Sequence, residues 1–245
     1  MRTKGNQMIV NYTESGWQII TQRSHGLLAA KICAHWRKDR QPERWVETLI
    51  AAAEHDDVYN EWENEDLLNE TGGPVNFKQT GFKLEYGKRL IDMAETKSAY
   101  IALLISRHIQ FVHGEDSKAK TFISSLKKME RNWLEVAGVN KEEVDRAYKL
   151  VEFCDAFSLL ICQGLVQPEG RKIEIGKGPD GRVYEMHASG DDLMIEPWPY
   201  DTDSVVLSWE SRTLSQLTFK NADAFRKAVV AANPVTHQLR LLKCS

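Results

Sequence analysis

The spacing of hydrophobic and polar positions changes twice along the chain. Near the N-terminus, two short strand-like stretches at 8–11 and 17–21 flank a polar segment that contains Gly16, which predicts a β-hairpin. From there to residue 162, apolar residues recur every three or four positions, as on one face of an α-helix. The predicted helices span 24–38, 42–56, 83–95, 98–112, 117–136 and 140–162.

The last third of the chain is richer in alternating positions and in turn residues. It predicts strands at 172–176, 183–188, 193–198, 205–209 and 238–243, with one helix at 222–232. We therefore expect an α+β protein: a mainly α-helical bundle, residues 1–166, with an antiparallel β-rich segment, residues 167–245, packed on it. The N-terminal hairpin could join that sheet.

The charge balance and the cysteines narrow the classes of partner and compartment. Lys and Arg number 32 and Asp and Glu number 35, so no strong field favours a nucleic acid polymer or an anionic membrane surface. The four cysteines form no C-x-x-C pair, which favours reduced thiols in a cytoplasmic protein. We see neither a signal peptide nor an apolar run of about 20 residues, so we expect no membrane span. A homo-oligomer remains open.

Five polar residues occupy the apolar faces of four predicted helices. They are His25, the adjacent His55 and Asp56, His108, and Asp155. Any one of them could be a core side chain bonded to a carbonyl or to an arginine. Burying all of them without partners would be costly, and one divalent cation would satisfy them together. The sequence therefore predicts a metal site inside the helical region.

Other residues near these positions suggest supporting chemistry. Asp57 could be a general base, or it could cap a helix. Arg107, Lys31 and Arg23 could bind a phosphate, although long basic side chains are usually solvated. Trp62, in a polar stretch at 59–81, could stack on a substrate. We expect Asp57 and Arg107 to be the catalytic pair. A phosphate-binding loop, a dinucleotide-binding glycine motif and a nucleophile elbow are all absent from the sequence.

The local sequence around these residues resembles that of known protein families. The segments are IITQRSH (19–25), AAEHDD (52–57), SRH (106–108) and CDAFSLLIC (154–162). The order His, His-Asp, His, Asp resembles the HD-domain superfamily of metal-dependent phosphohydrolases. The sequence segments themselves are similar to those of the bacterial family called domain of unknown function 3891.

The resemblance implies an HD-like helical bundle and a set of metal ligands. His25, His55, Asp56 and Asp155 would be the primary ligands, and His108 matches an extra histidine of dinuclear members. His113 is the only nearby candidate for a sixth ligand, so the sequence leaves open whether one ion or two would bind. The ion would be Mn²⁺, Fe²⁺, Mg²⁺, Co²⁺ or Ni²⁺, and mixed nitrogen and oxygen ligands favour a transition metal.

The function implied by the resemblance is hydrolysis of a small phosphorylated substrate. That substrate would be a phosphomonoester or phosphodiester, such as a nucleotide, attacked by a metal-activated water. Two alternatives remain. One is a di-iron oxygenase, which requires the second metal. The other is a non-catalytic sensor that would use the aromatic residues of EPWPY (196–200) as an interaction surface.

Overall fold

The computed structural model describes residues 8–58, 67–79, 81–167 and 170–244. Trp62 lies outside them, as does part of the long polar stretch. Within these ranges, seven α-helices combine with one seven-stranded sheet. The helices are α1 (Gln22–Ala34), α2 (Trp45–Glu54), α3 (Leu84–Glu95), α4 (Ala99–His113), α5 (Lys120–Ala137), α6 (Lys141–Cys162) and α7 (Ala222–Ala231). The strands are β1 (Met8–Thr13), β2 (Gly16–Thr21), β3 (Ile173–Lys177), β4 (Val183–Ser189), β5 (Asp192–Glu196), β6 (Ser204–Leu214) and β7 (Pro234–Lys243).

Most predicted elements are confirmed with shifted ends. The largest difference among the helices is at the end of α1, which we expected at Lys38 and which lies at Ala34. We also expected α2 to start at Pro42. Residues 38–40 instead form a 3₁₀ turn, and α2 begins at Trp45. Helix α6 begins where its capping box predicts: the Asn140 side chain accepts from the Glu143 amide, and the Glu143 carboxylate accepts from the Asn140 amide.

The expected mainly helical, HD-like bundle is wrong. The sheet is a full layer of the molecule, with the strand order β1-β2-β6-β7-β5-β4-β3. It combines the two N-terminal strands β1 and β2 with the five strands of the last third of the chain. The hairpin does join it, because β2 pairs with β6. The sheet is also mixed rather than antiparallel, since β5 and β7 run parallel.

One large hydrophobic core lies between the helices and the sheet. It contains Leu28 of α1 and Phe153 of α6 together with Tyr184, Leu207 and Leu241 of the strands. The sheet therefore supplies one wall of this core. Burial of that apolar surface is the main force holding the two layers together.

The hairpin is buried on both faces. Ile9 and Ile20 belong to the large core, whereas Met8 and Ile19 belong to a second cluster that includes Phe225 of α7. Neighbouring residues of a strand point to opposite faces, so one hairpin serves both clusters. Helix α1 starts directly at the end of β2, where the Thr21 side chain caps it by accepting from the Ser24 amide. This junction places His25 in the first turn of α1.

Among the described helices, none combines the length and the apolar character needed to cross a bilayer.

Candidate metal centre

The five predicted ligands lie together. The Nε2 atom of His25 lies 3.1 Å from Nε2 of His55 and 3.1 Å from Oδ1 of Asp155. Nε2 of His55 is 3.3 Å from the same Asp155 oxygen and 3.7 Å from Oδ2 of Asp56. Nε2 of His108 lies 3.6 Å from Oδ1 of Asp56. Helices α1, α4 and α6 and the turn after α2 thus contribute to one cluster.

The cluster is deeply buried. His25 and His55 have no exposed surface, and His108 and Asp155 are nearly as enclosed. Asp56 is the most open of the five, with a quarter of its side chain exposed. The cluster is therefore most open to solvent beside the Asp56 carboxylate.

The neighbours of His25 and His55 determine which ring nitrogens carry protons. The Ser158 hydroxyl donates its one hydrogen to the Asp155 carbonyl at 2.8 Å, so it must accept from Nδ1 of His25, also at 2.8 Å. Nδ1 of His55 lies 2.9 Å from the Ala52 carbonyl, which can only accept. Both imidazoles therefore hold a proton on Nδ1 and turn Nε2 toward the other ring.

This arrangement leaves acceptor atoms facing one another. Two neutral imidazoles would place two Nε2 lone pairs 3.1 Å apart. Oδ1 of Asp155 is buried and, with both Nε2 atoms unprotonated, has no hydrogen-bond partner among the described residues. A cation among these three atoms would satisfy all of them, and tying Nδ1 to an acceptor is typical of metal-binding histidines. The residues present therefore fit a divalent ion.

The charges of the cluster are strongly coupled. Without a bound cation, burial by itself would lower the pKa of His55, but Asp155 and Asp56 outweigh it and raise that pKa to about 9. At neutral pH a proton on Nε2 of His55 then stands where a metal ion would bind, and metal binding would displace it. Burial opposes the ionised form of Asp155, yet His55 and His25 hold its pKa well below its ordinary value. Asp56 likewise has a lowered pKa, because His108 and His55 outweigh its burial. The carboxylates are thus ionised at neutral pH, as metal ligands must be.

The potential ligands form two overlapping groups. His25, His55 and Asp56 offer ligand atoms within 4.8 Å of one another, and so do His55, His108 and Asp155. His55 belongs to both groups, and its Nδ1 is already bonded to Ala52. A single Nε2 lone pair cannot bind two ions at once, so the two groups cannot each hold an ion through His55.

Neither predicted catalytic residue is brought into this cluster. Nε of Arg23 donates to Oδ1 of Asp57 at 2.6 Å, which occupies that carboxylate. Arg107 donates to Glu130 at 2.6 Å and to Asp145 at 2.7 Å, so two carboxylates compensate its charge.

A small cavity adjoins Asp56 and His108. It encloses about 20 Å³, room for one water, and its wall also includes Lys83, Tyr86 and His113. His113 is the last residue of α4, and its ring packs against Phe82 with centroids 5.1 Å apart. It reaches the cavity wall but belongs to neither group of ligands.

Two residues of the site were missed by our sequence reasoning. Ser158 orients His25, and Nε2 of Gln22 donates to Oδ2 of Asp56 at 3.0 Å. Each lies three positions from a predicted ligand on the same helix, Ser158 after Asp155 and Gln22 before His25. The spacing of three, which puts residues on one helix face, could have revealed both.

Fold and site together define an α+β protein with a buried cluster of His and Asp side chains that could hold a metal ion. The chain belongs to the family described as Protein of unknown function (DUF3891), whose model matches residues 8–216. No curated protein and no solved structure matches the chain.

Proposed function

We propose that this protein binds one divalent metal ion and hydrolyses a phosphate ester. His25, His55 and Asp155 would hold the ion, with Asp56 and His108 completing the ligand set. The observation that carries the metal part is the close approach of two Nε2 atoms and the unbonded Asp155 oxygen. Nitrogen and carboxylate ligands together favour Mn²⁺, Fe²⁺, Co²⁺ or Ni²⁺ over Mg²⁺.

The hydrolytic part rests on the ligand order and on the cavity. The order His, His-Asp, His, Asp resembles that of the HD phosphohydrolases, although the expected HD-like bundle is not the fold. A bound divalent ion would lower the pKa of a water bound to it and neutralise the charge of the phosphate. The cavity beside Asp56 and His108 has room for that water.

In this proposal the chain's own residues position the substrate and exclude bulk water. Lys83, in the cavity wall, is the candidate to contact the phosphate, in place of the predicted Arg107. Asp57 is given no part as general base, because Arg23 occupies its carboxylate. The partly exposed Asp56 marks the side from which a small phosphorylated substrate approaches.

The test combines metal analysis with turnover. Purified protein is loaded in turn with each of the five ions, its bound metal is measured by mass spectrometry, and hydrolysis of p-nitrophenyl phosphate, bis-p-nitrophenyl phosphate and nucleoside monophosphates is followed. We expect one ion per chain and metal-dependent release of phosphate or nitrophenol. His55→Ala and Asp155→Ala should lose both, whereas His187→Gln, on β4, should lose neither.

The alternatives give different results. If two ions bind per chain and the protein consumes oxygen, the hydrolase proposal is wrong and the di-iron oxygenase is favoured. One ion without turnover of any ester would favour the non-catalytic sensor. If no metal binds when each ion is present at micromolar concentration, the proposal of a metal centre is wrong.

A further inference from the structure

A second concave site lies on the outward side of α1. It is a groove of about 310 Å³ between α1 and β6, and none of the five candidate metal ligands lines it. Its volume is at the lower end of the range for small-molecule sites. We call it the α1–β6 groove. Arg23, Leu27 and Lys31 form one wall, and Ser208, Trp209 and Glu210 form most of the other.

The helical wall alternates cation, apolar residue and cation. Arg23, Leu27 and Lys31 are four residues apart, so they lie in a row along one face of α1. About half of the Leu27 side chain is exposed, which leaves an apolar surface between the two charges. Such a row suits a ligand with a flat apolar part and an anionic group.

The ammonium of Lys31 has neutral hydrogen-bond partners. Its ammonium donates to the carbonyl oxygen of Ser208 at 2.7 Å and to the Ser208 hydroxyl at 2.9 Å, both neutral. Across the described ranges no carboxylate lies within ion-pair distance of it. A partly buried ammonium in this state attracts an anion more strongly than a solvated one does.

The opposite wall presents a fixed aromatic ring. The Trp209 indole stacks on the His237 imidazole, with centroids 5.2 Å apart and planes 21° apart. The hydroxyl of Ser211, a buried residue, lies 2.7 Å from Nε2 of His237 and holds that imidazole in place. His237 does not line the groove, so it covers a part of Trp209 away from the groove. The surface left for a ligand is therefore rigid.

The two walls are bonded to each other at both ends. The Ser24 hydroxyl donates to the Glu210 carbonyl at 3.1 Å, and Lys31 bonds to Ser208 about 10 Å further along the helix. The groove thus exists before any ligand arrives, and a ligand loses less binding free energy to ordering of the protein.

We propose that the α1–β6 groove binds a planar aromatic ring that carries an anionic group, of the class of nucleoside monophosphates. The base stacks on Trp209 and packs against Leu27, and Lys31 binds the phosphate. Stacking on an aromatic side chain is a general mode of base recognition and needs no particular base. A charge-assisted hydrogen bond from the Lys31 ammonium supplies the phosphate contact. This binding is independent of the metal centre.

The experiment uses full-length protein stripped of metal with a chelator. Binding of adenosine 5′-monophosphate is measured by titration calorimetry and compared with binding of adenosine and of inorganic phosphate. We expect the monophosphate to bind at least tenfold more tightly than either fragment. His55→Ala should bind it as the wild type does, which separates this site from the proposed metal function.

Three groove variants and two matched controls locate the site. Trp209→Leu and Lys31→Gln should each weaken binding by roughly tenfold. Leu27→Glu, a change at an exposed position, should weaken it at least as much by repelling the phosphate. Trp198→Leu and Lys172→Gln remove the same residue types outside the groove and should leave the affinity unchanged.

The proposal is overturned by any of three results. The first is no detectable binding of the monophosphate at millimolar concentration. The second is unchanged affinity in Leu27→Glu, whose folding is checked by circular dichroism. The third is adenosine or phosphate alone binding as tightly as the monophosphate.

Discussion

Ser158 determines the chemistry that His25 can perform. Because its hydroxyl donates to the Asp155 carbonyl, it accepts from Nδ1 of His25 and leaves Nε2 of that ring available to the proposed metal ion. One serine thus connects the two ligands His25 and Asp155. The site depends on such single hydrogen bonds because each buried ring has few other partners.

Ser158→Ala should lower metal affinity by about 10–100-fold, the usual effect of losing the partner of a ligating histidine. Isothermal titration with Mn²⁺ measures the change. Ser125→Ala is the matched control, since Ser125 also donates to a carbonyl three residues earlier in a helix, Phe122, but lies far along the chain on α5. Equal affinity in both variants would mean that Ser158 does not orient His25.

At the scale of elements, the close approach of α1 to α2 brings His25 to His55. A Cβ atom on Gly26 would lie 2.4 Å from the Ala53 carbonyl oxygen, a backbone atom that cannot move alone. Glycine is needed here for space, since the two helices meet at this residue. The contact lies one residue after His25 and two before His55, so helix separation and ligand spacing are coupled.

Gly26→Ala should force α1 and α2 apart. We expect a loss of about 1–3 kcal/mol of unfolding free energy from overpacking, partly offset by about 1 kcal/mol of better helix propensity. Metal affinity should fall as well, because the ligands separate. Urea denaturation and metal titration measure the two effects.

Asn140→Ala is the matched control for that variant. It removes the cap of α6 and should cost about 1 kcal/mol of stability. Asp155 lies four turns away from that cap, so the metal affinity should not change. A parallel loss of metal affinity in both variants would show that stability alone, rather than helix spacing, governs the site.

At the scale of the whole molecule, the two layers are joined by polar contacts as well as by the core. Oδ2 of Asp180, in the β3–β4 turn, accepts from Arg40 at 2.6 Å, from Arg182 at 2.7 Å and from the Tyr184 hydroxyl at 3.1 Å. Arg40 lies in the 3₁₀ turn that follows α1. The carboxylate therefore links the helical layer to the sheet.

Asp180→Asn should lower the unfolding free energy by about 1–2 kcal/mol at neutral pH. Burial opposes ionisation of Asp180, but Arg182 and Tyr184 outweigh it and hold its pKa below the ordinary value. Its stabilisation is therefore complete above about pH 4 and is lost as the pH falls through the folded-state pKa. Denaturation of both proteins across this range should show the difference shrinking in acid. The exposed Asp39→Asn serves as control and should show a much smaller change, because its solvent-exposed ion pair with Arg37 contributes little to stability.

Metal removal should destabilise the whole molecule. A ligand that binds the folded state at 100 times its Kd adds about 2.7 kcal/mol of stability. We expect the Tm of chelator-treated protein to rise on addition of Mn²⁺ and the Tm of His55→Ala to stay constant. If the Tm of the wild-type protein does not change on addition of any of these divalent ions, the proposed metal centre is contradicted.

Much of the local structure could be predicted from the sequence. The helical periodicity located α3, α4 and α6 to within a residue or two, and it put His25, His108 and Asp155 on inward faces. Asp57 and Arg107 were singled out because they are adjacent to ligands in the sequence. Their ion pairs with Arg23, Glu130 and Asp145 join distant segments, and spacing along the chain carries no information about them.

The sequence by itself determined the elements and which side chains turn inward, because both follow from periods of 3.6 and 2 residues within a short window. Only the tertiary structure decided that β2 pairs with β6, that β5 runs parallel to β7, and that the sheet is a full wall of the core. It also decided that five inward residues meet around one point. These features depend on contacts between segments up to 200 residues apart, whose free energy comes from burial and pairing in the assembled fold.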